Sequence, residues 1–164
     1  MKTLTLIRHA KSDWGNETVS DLYRPLNSRG YADASVLSKQ LAQKIPPAQF
    51  WFSSPAIRAY STALLFANAF QFNEEKIFLN KRIYEASVKT LETLVTSIPD
   101  ENETVFIFGH NPGFTKFFNQ YSDSFADNIP TCGVISLSND VLSWGDFLGS
   151  KLKNDFYLYP KEFR

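Results

Sequence analysis

Apolar residues in this chain come in short blocks, and the blocks alternate between two periods. "TLTLI" (3–7), "QFWFSS" (49–54), "KIFL" (76–79) and "TVFIFG" (104–109) are apolar runs of strand length, the pattern of strands buried on both faces. Between them the period lengthens. Ala34, Leu37, Leu41 and Ile45 fall on one face of a helix over residues 27–45. "PAIRAYSTALLFANAF" (55–70) predicts a second helix, with Ser54 placed to cap it and Pro55 at its first position. Leu91, Leu94, Val95 and Ile98 mark a third, and Phe114, Phe117, Phe118 and Tyr121 a short fourth. "CGVISLSNDVLSW" (132–144) reads as two strands around an Asn-Asp turn, and no element is assigned after Gly149. Strand and helix in alternation predict an α/β layered domain with a largely parallel sheet, whose ligands sit beyond the carboxyl ends of the strands.

Composition narrows the setting. A chain of 164 residues fits one domain, here residues 1–164, with a core that buries roughly 70% of the unfolded surface. Seventeen basic and seventeen acidic residues cancel. No global field therefore recruits nucleic acid or an anionic membrane, and any anion must be captured locally. No apolar stretch has the length of a membrane span or a secretory core, and the single Cys132 excludes an internal disulfide. The expected setting is cytoplasmic, with a monomer favoured.

The chain has only two histidines, His9 and His110, and both stand where an apolar strand stops. Arg8 precedes the first, and Arg58 lies in the first turn of the helix leaving a third strand. An apolar strand that ends in a guanidinium needs an anion to meet it. Guanidinium forks match phosphate oxygens two at a time, and an uncharged imidazole can take a phosphoryl group covalently. Neighbouring Arg8 and Arg58 should keep His9 neutral, and a backbone carbonyl accepting from its other ring nitrogen would fix the tautomer. Other phosphate chemistries lack their residues. There is no G-x-x-x-x-G-K-[ST], no G-x-G-x-x-G and no G-x-S-x-G, and Cys132 is followed six positions later by Ser138, not arginine. Two histidines are too few for a metal phosphatase. Metal-free transfer through histidine is what remains.

Taken together, "LIRHAKS", "SSPAIRAYSTA", "IYEAS" and "FGHNPGF" resemble, in order, the four signature segments of the histidine phosphatase superfamily, including its RHG motif. The short chain, "YRPLNSRG" (23–30) and "GHNPG" are most similar to SixA-type phosphohistidine phosphatases. The resemblance implies a phosphoglycerate-mutase-like, three-layer α/β sandwich with a mixed, mostly parallel central sheet and helices on both faces. It implies no cofactor and no metal. His9 would be the phosphorylated nucleophile, Arg8 and Arg58 the clamps on the phosphoryl oxygens, and His110 a donor to them. Glu85 would protonate the leaving group, and Arg24 would be a further phosphate contact. Two positions depart from the family pattern. Ala10 replaces the usual glycine, and Gly15 stands where mutase-like members carry asparagine, with Asn16 one later. The implied substrate is a phosphorylated protein bearing phosphohistidine. The alternatives are a small phosphate ester turned over by the same residues, and a phosphoprotein-binding module without catalysis.

Overall fold

Each apolar run becomes a strand of one sheet. The computed structural model describes residues 1–164, and its strands are β1 (Lys2–Arg8), β2 (Phe50–Ser53), β3 (Ile77–Leu79), β4 (Thr104–Gly109), β5 (Val134–Asn139) and β6 (Lys153–Leu158). Their order across the sheet is β3-β2-β4-β1-β5-β6. The first four are mutually parallel, and β5 runs antiparallel to both β1 and β6. The register sets Arg8 beside Gly109 and Ser53 beside Phe108, so β2, β4 and β1 end at one level of the sheet.

Helices cover both faces. Alternation along β4 sends Phe106 and Phe108 to one side and Val105 and Ile107 to the other. On the first side α1 (Ser28–Lys44) and α2 (Ile57–Phe70) bury Leu37, Leu41, Phe66 and Phe70 against Trp51 and the β4 phenylalanines. On the second, α3 (Val88–Thr96) and α4 (Gly113–Tyr121) bury Leu91, Leu94, Phe114 and Phe118. Sheet and two helical layers make the three-layer α/β sandwich, with a core on each face. Side chains of that size contribute about 1.5–3 kcal/mol each on full burial, so the two cores hold the strand ends in place.

Two expected details differ. The strands around the Asn-Asp turn do not form a hairpin, because β5 pairs instead with β6, in the stretch after Gly149 that carried no assignment. Burial of Trp144 decides this. Its backbone N–H donates to Asp100 Oδ1 at 2.7 Å and its indole N–H to the Asn102 carbonyl at 2.6 Å, which draws residues 140–146 onto the α3 side of the core. The chain must then travel on to Lys153 before it can turn back. The second helix begins at Ile57 with Ala56 as its cap, two residues later than Ser54 and Pro55 imply. The Ser54 hydroxyl still accepts from the Ala56 N–H at 3.2 Å, the bond a capping serine makes two residues on, and it meets His110 Nε2 as well.

Trp144 is fully buried and carries two of the contacts that fix the β5–β6 connection. Trp144→Ala is expected to cost about 3–5 kcal/mol, read as a lowered urea midpoint.

Candidate active site

His9 is held by its backbone before its side chain does anything. Its N–H donates to the Gly109 carbonyl and its carbonyl accepts from the Cys132 N–H, both at 3.0 Å. The next amide, Ala10, donates to Thr62 Oγ1 at 2.9 Å, and that hydroxyl donates to the Arg58 carbonyl at 2.7 Å. The end of β1 is thereby tied to the first turns of α2. In the ring, Nδ1 lies 2.7 Å from the Ala10 carbonyl. A carbonyl can only accept, so Nδ1 carries the proton and the Nε2 lone pair is left without a protein partner.

His110 follows β4, and its ring centroid is 5.2 Å from that of His9, the planes tilted by 54°. Its Nε2 lies 2.8 Å from Ser54 Oγ, the Tyr84 ring meets its face edge-on at 5.5 Å, and its buried Nδ1 has no partner. Both rings are 7% exposed. Burial pushes the His9 pKa down to about 4, with Arg58, Arg8 and Arg24 lowering it further and the bond to Ala10 opposing them. Burial likewise takes His110 to about 3, helped by His9 and Arg58. Sequence reasoning ascribed a neutral His9 to the arginines. Desolvation is the larger cause.

Three guanidiniums converge here. Arg8 Nη1 donates to the Ile129 carbonyl at 2.6 Å. Arg58 donates from Nη1 to the Asp21 carbonyl at 2.6 Å and from Nη2 to Asp21 Oδ2 at 3.0 Å. Arg24 donates from Nη2 to Asp21 Oδ1 at 2.9 Å and from Nη1 to the Ser12 hydroxyl, and its guanidinium carbon lies 3.6 Å from the Trp14 ring centroid. The Nε of all three is buried without a partner.

Asp21 is the residue that reading the sequence missed. One carboxylate accepts from Arg24, from Arg58 and, at 2.5 Å, from the Tyr84 hydroxyl. Burial works to raise its pKa, but the hydrogen bonds from Tyr84, Arg24 and Arg58 outweigh it and hold the carboxyl well below the usual range. The available signal was its place one turn before Arg24 in "DLYR". Nothing local distinguishes that carboxylate from a solvated one, because its partners on α2 and beside Glu85 are distant in sequence.

The cavity between these groups measures about 380 Å³ and is lined by Arg8, His9, Arg24, Arg58, His110 and Glu85, among others. Every residue expected at the site therefore borders one hollow. Glu85 is exposed, with its backbone in the left-handed region at φ 54°, a conformation a non-glycine residue rarely adopts without surrounding constraint. One constraint is Gly113, where a Cβ would lie 2.3 Å from the Ala86 carbonyl oxygen. Only glycine lets α4 approach this loop so closely. Three guanidiniums less the Asp21 carboxylate leave two positive charges around the two neutral imidazoles. That is the complement of a phosphoryl dianion. The chain has no group of three or more His, Cys, Asp or Glu side chains placed to hold a metal ion, and no helix long and apolar enough to cross a membrane.

The depressed imidazole pKa values make stability depend on pH with a definite sign. As pH falls below 6.5 the unfolded chain takes up protons that the folded one refuses until about pH 4 at His9 and about pH 3 at His110. Stability is expected to be full above pH 7 and to decline through pH 4 by a few kcal/mol, on the order of the pKa changes involved. Urea unfolding across that range measures it, and His110→Gln should flatten part of the slope. A pH-independent midpoint would contradict the burial of neutral rings.

Comparison with known proteins bears on the fold and the family. An uncharacterized chloroplastic protein of Arabidopsis thaliana is 27% identical over 152 residues, 87% of this chain and 69% of that protein. Among solved structures, one from Agrobacterium tumefaciens named for the phosphohistidine phosphatase SixA superposes with a TM-score of 0.83 at 23% identity, covering 97% of this chain and 98% of the other. The protein histidine phosphatase SixA complexed with tungstate gives 0.82 at 15% identity, covering 99% of each chain. A mycobacterial glucosyl-3-phosphoglycerate phosphatase gives 0.68 at 13%, covering 98% and 99%. At such identities the structural likeness speaks for the fold. The family follows from the sequence itself: residues 4–116 match the histidine phosphatase superfamily, branch 1, and the chain is a member of it.

Proposed function

We propose that this phosphatase works without a metal, through a phosphoryl group carried transiently on His9, and that its substrate is phosphohistidine on a protein. The observation that carries the proposal is the single hydrogen bond from His9 Nδ1 to the Ala10 carbonyl, which leaves an uncharged Nε2 lone pair at the wall of a cavity with two net positive charges. In the first step Nε2 attacks phosphorus in line. The N–P bond forms as the bond to the leaving group breaks, and the leaving group departs with the electron pair and gains a proton. In the second step water attacks the phosphorus of phospho-His9. The electron pair of the N–P bond returns to Nε2, the water proton passes to a base, and inorganic phosphate leaves. Glu85 at the rim is the proposed acid of the first step and base of the second. Arg8, Arg58 and Arg24 would hold the equatorial oxygens, their unpartnered Nε groups adding to the donors available. With the Ser54 hydroxyl donating to His110 Nε2, the single proton of the neutral ring sits on Nδ1, free to donate to the phosphoryl group.

The volume accommodates a phosphoryl group with part of its leaving group. About 380 Å³ lies near the lower end of the roughly 300–1,000 Å³ typical of small-molecule sites. A P–N bond also asks less of an exposed acid than an ester does, because imidazole is a far better leaving group than an alkoxide. The second reading, a small-molecule phosphomonoesterase, uses the same side chains and leans on Glu85 more heavily. Glu85→Gln separates them: turnover of esters should fall much further than turnover of phosphohistidine.

His9→Ala is expected to abolish turnover, and brief incubation of the wild-type chain with substrate should leave an acid-labile phosphoryl adduct on His9, visible by mass spectrometry at neutral pH. Near-wild-type activity of His9→Ala would sink the mechanism. Arg58→Ala should retain a residue of activity, down by about 10² to 10³. Asp21→Asn leaves both guanidiniums present but removes the charge that aligns them. Its kcat/KM is expected to drop about 10- to 100-fold, the size of one lost hydrogen bond to a charged group, with the fold retained by circular dichroism.

A further inference from the structure

Next to the phosphate cavity lies a second and larger depression of about 620 Å³, and the two share Lys11 and Thr131 as a common wall. Residues 125–131 form one side. The other is made by Tyr157 of β6, Tyr159 and the turn that follows. The two tyrosine rings stand 5.3 Å apart, and Phe125 is 73% exposed on the opposite side. Three side-chain cations border the depression and one side-chain carboxylate, Asp127. Arg164 is engaged by Asp33 at 2.8 Å, but Lys11 and Lys161 are exposed and in no ion pair.

The groups proposed to hold the phosphoryl group, His9, Arg8, Arg24, Arg58 and His110, all line the smaller cavity, and none of them lines this larger one. It does lie where the remainder of a large substrate must go. We propose that the depression is the docking cleft for the polypeptide segment carrying the phosphorylated histidine, and that it selects segments whose flanking residues are acidic and aromatic. This rests on the protein-substrate reading above and adds what that substrate looks like. The two unpaired lysines supply the charge preference, and the exposed Phe125 with the tyrosine pair supplies apolar area with little loss of side-chain freedom.

The test uses two synthetic peptides, each with one phosphohistidine and one phenylalanine, flanked in one case by glutamates and in the other by lysines. Phosphoramidate serves as a probe too small to reach the cleft. The KM for the glutamate peptide is expected to be about tenfold below that for the lysine peptide. Lys161→Glu should erase or reverse the preference, and Phe125→Ser should raise KM for both peptides several-fold. Neither should change phosphoramidate turnover, which also certifies that the variants are folded. Equal KM values that ignore Lys161→Glu would overturn the cleft and leave the His9 chemistry standing. Phosphoramidate turnover with neither peptide hydrolysed would overturn the protein substrate, and the cleft with it.

Discussion

Three guanidiniums bordering one small cavity repel one another, and the Asp21 carboxylate allows them to stand together. It touches Arg24 and Arg58 at once and takes a third hydrogen bond from Tyr84. Without that bridge Arg58 would keep only the Asp21 carbonyl, and Arg24 only the Ser12 hydroxyl and the Trp14 ring, so both forks would lose their alignment. With it, they stay in place before any substrate arrives. The arrangement costs hydrogen bonds, since three Nε groups remain buried and unpaired. Such orphans are uncommon in folded chains, and an incoming anion is the natural partner for them.

The same cavity imposes the opposite condition on the imidazoles. Both rings are buried among cations, so both are far harder to protonate than a free histidine. A positive field attracts a phosphoryl group while keeping the lone pairs next to it uncharged. Backbone bonds at the strand ends do the rest. The clamp of Gly109 and Cys132 fixes the His9 backbone, the Ala10 carbonyl leaves its ring one favourable tautomer, and the Thr62 hydroxyl fixes Arg58 relative to it. Precision at the two imidazoles derives from the sheet, whose register brings three strand ends to one level.

Local pattern fell short in two places. The Asn-Asp pair reads as a hairpin because turn propensity is a local property, yet a fully buried Trp144 with two hydrogen bonds outweighs it and carries the chain on to β6. Ser54 reads as a helix cap because the pattern counts only neighbours. In the folded chain its hydroxyl meets His110, which is 56 positions away. At Trp144 the long-range contacts outranked a local turn preference, whereas Ser54 keeps its local bond to the Ala56 N–H and adds the distant one.

The layered α/β architecture is legible in the order of residues, because the periods of burial are written residue by residue. The same order shows which side chains follow the strands: His9 after β1, His110 after β4 and Arg58 in the first turn after β2. How those groups behave follows from the folded arrangement. That His9 is neutral chiefly through burial, that Asp21 joins two arginines to Tyr84, and that a basic aromatic depression adjoins the phosphate cavity all depend on distances between remote segments. Charge and desolvation act through space, and the order of residues along a chain does not record that space until the chain has folded.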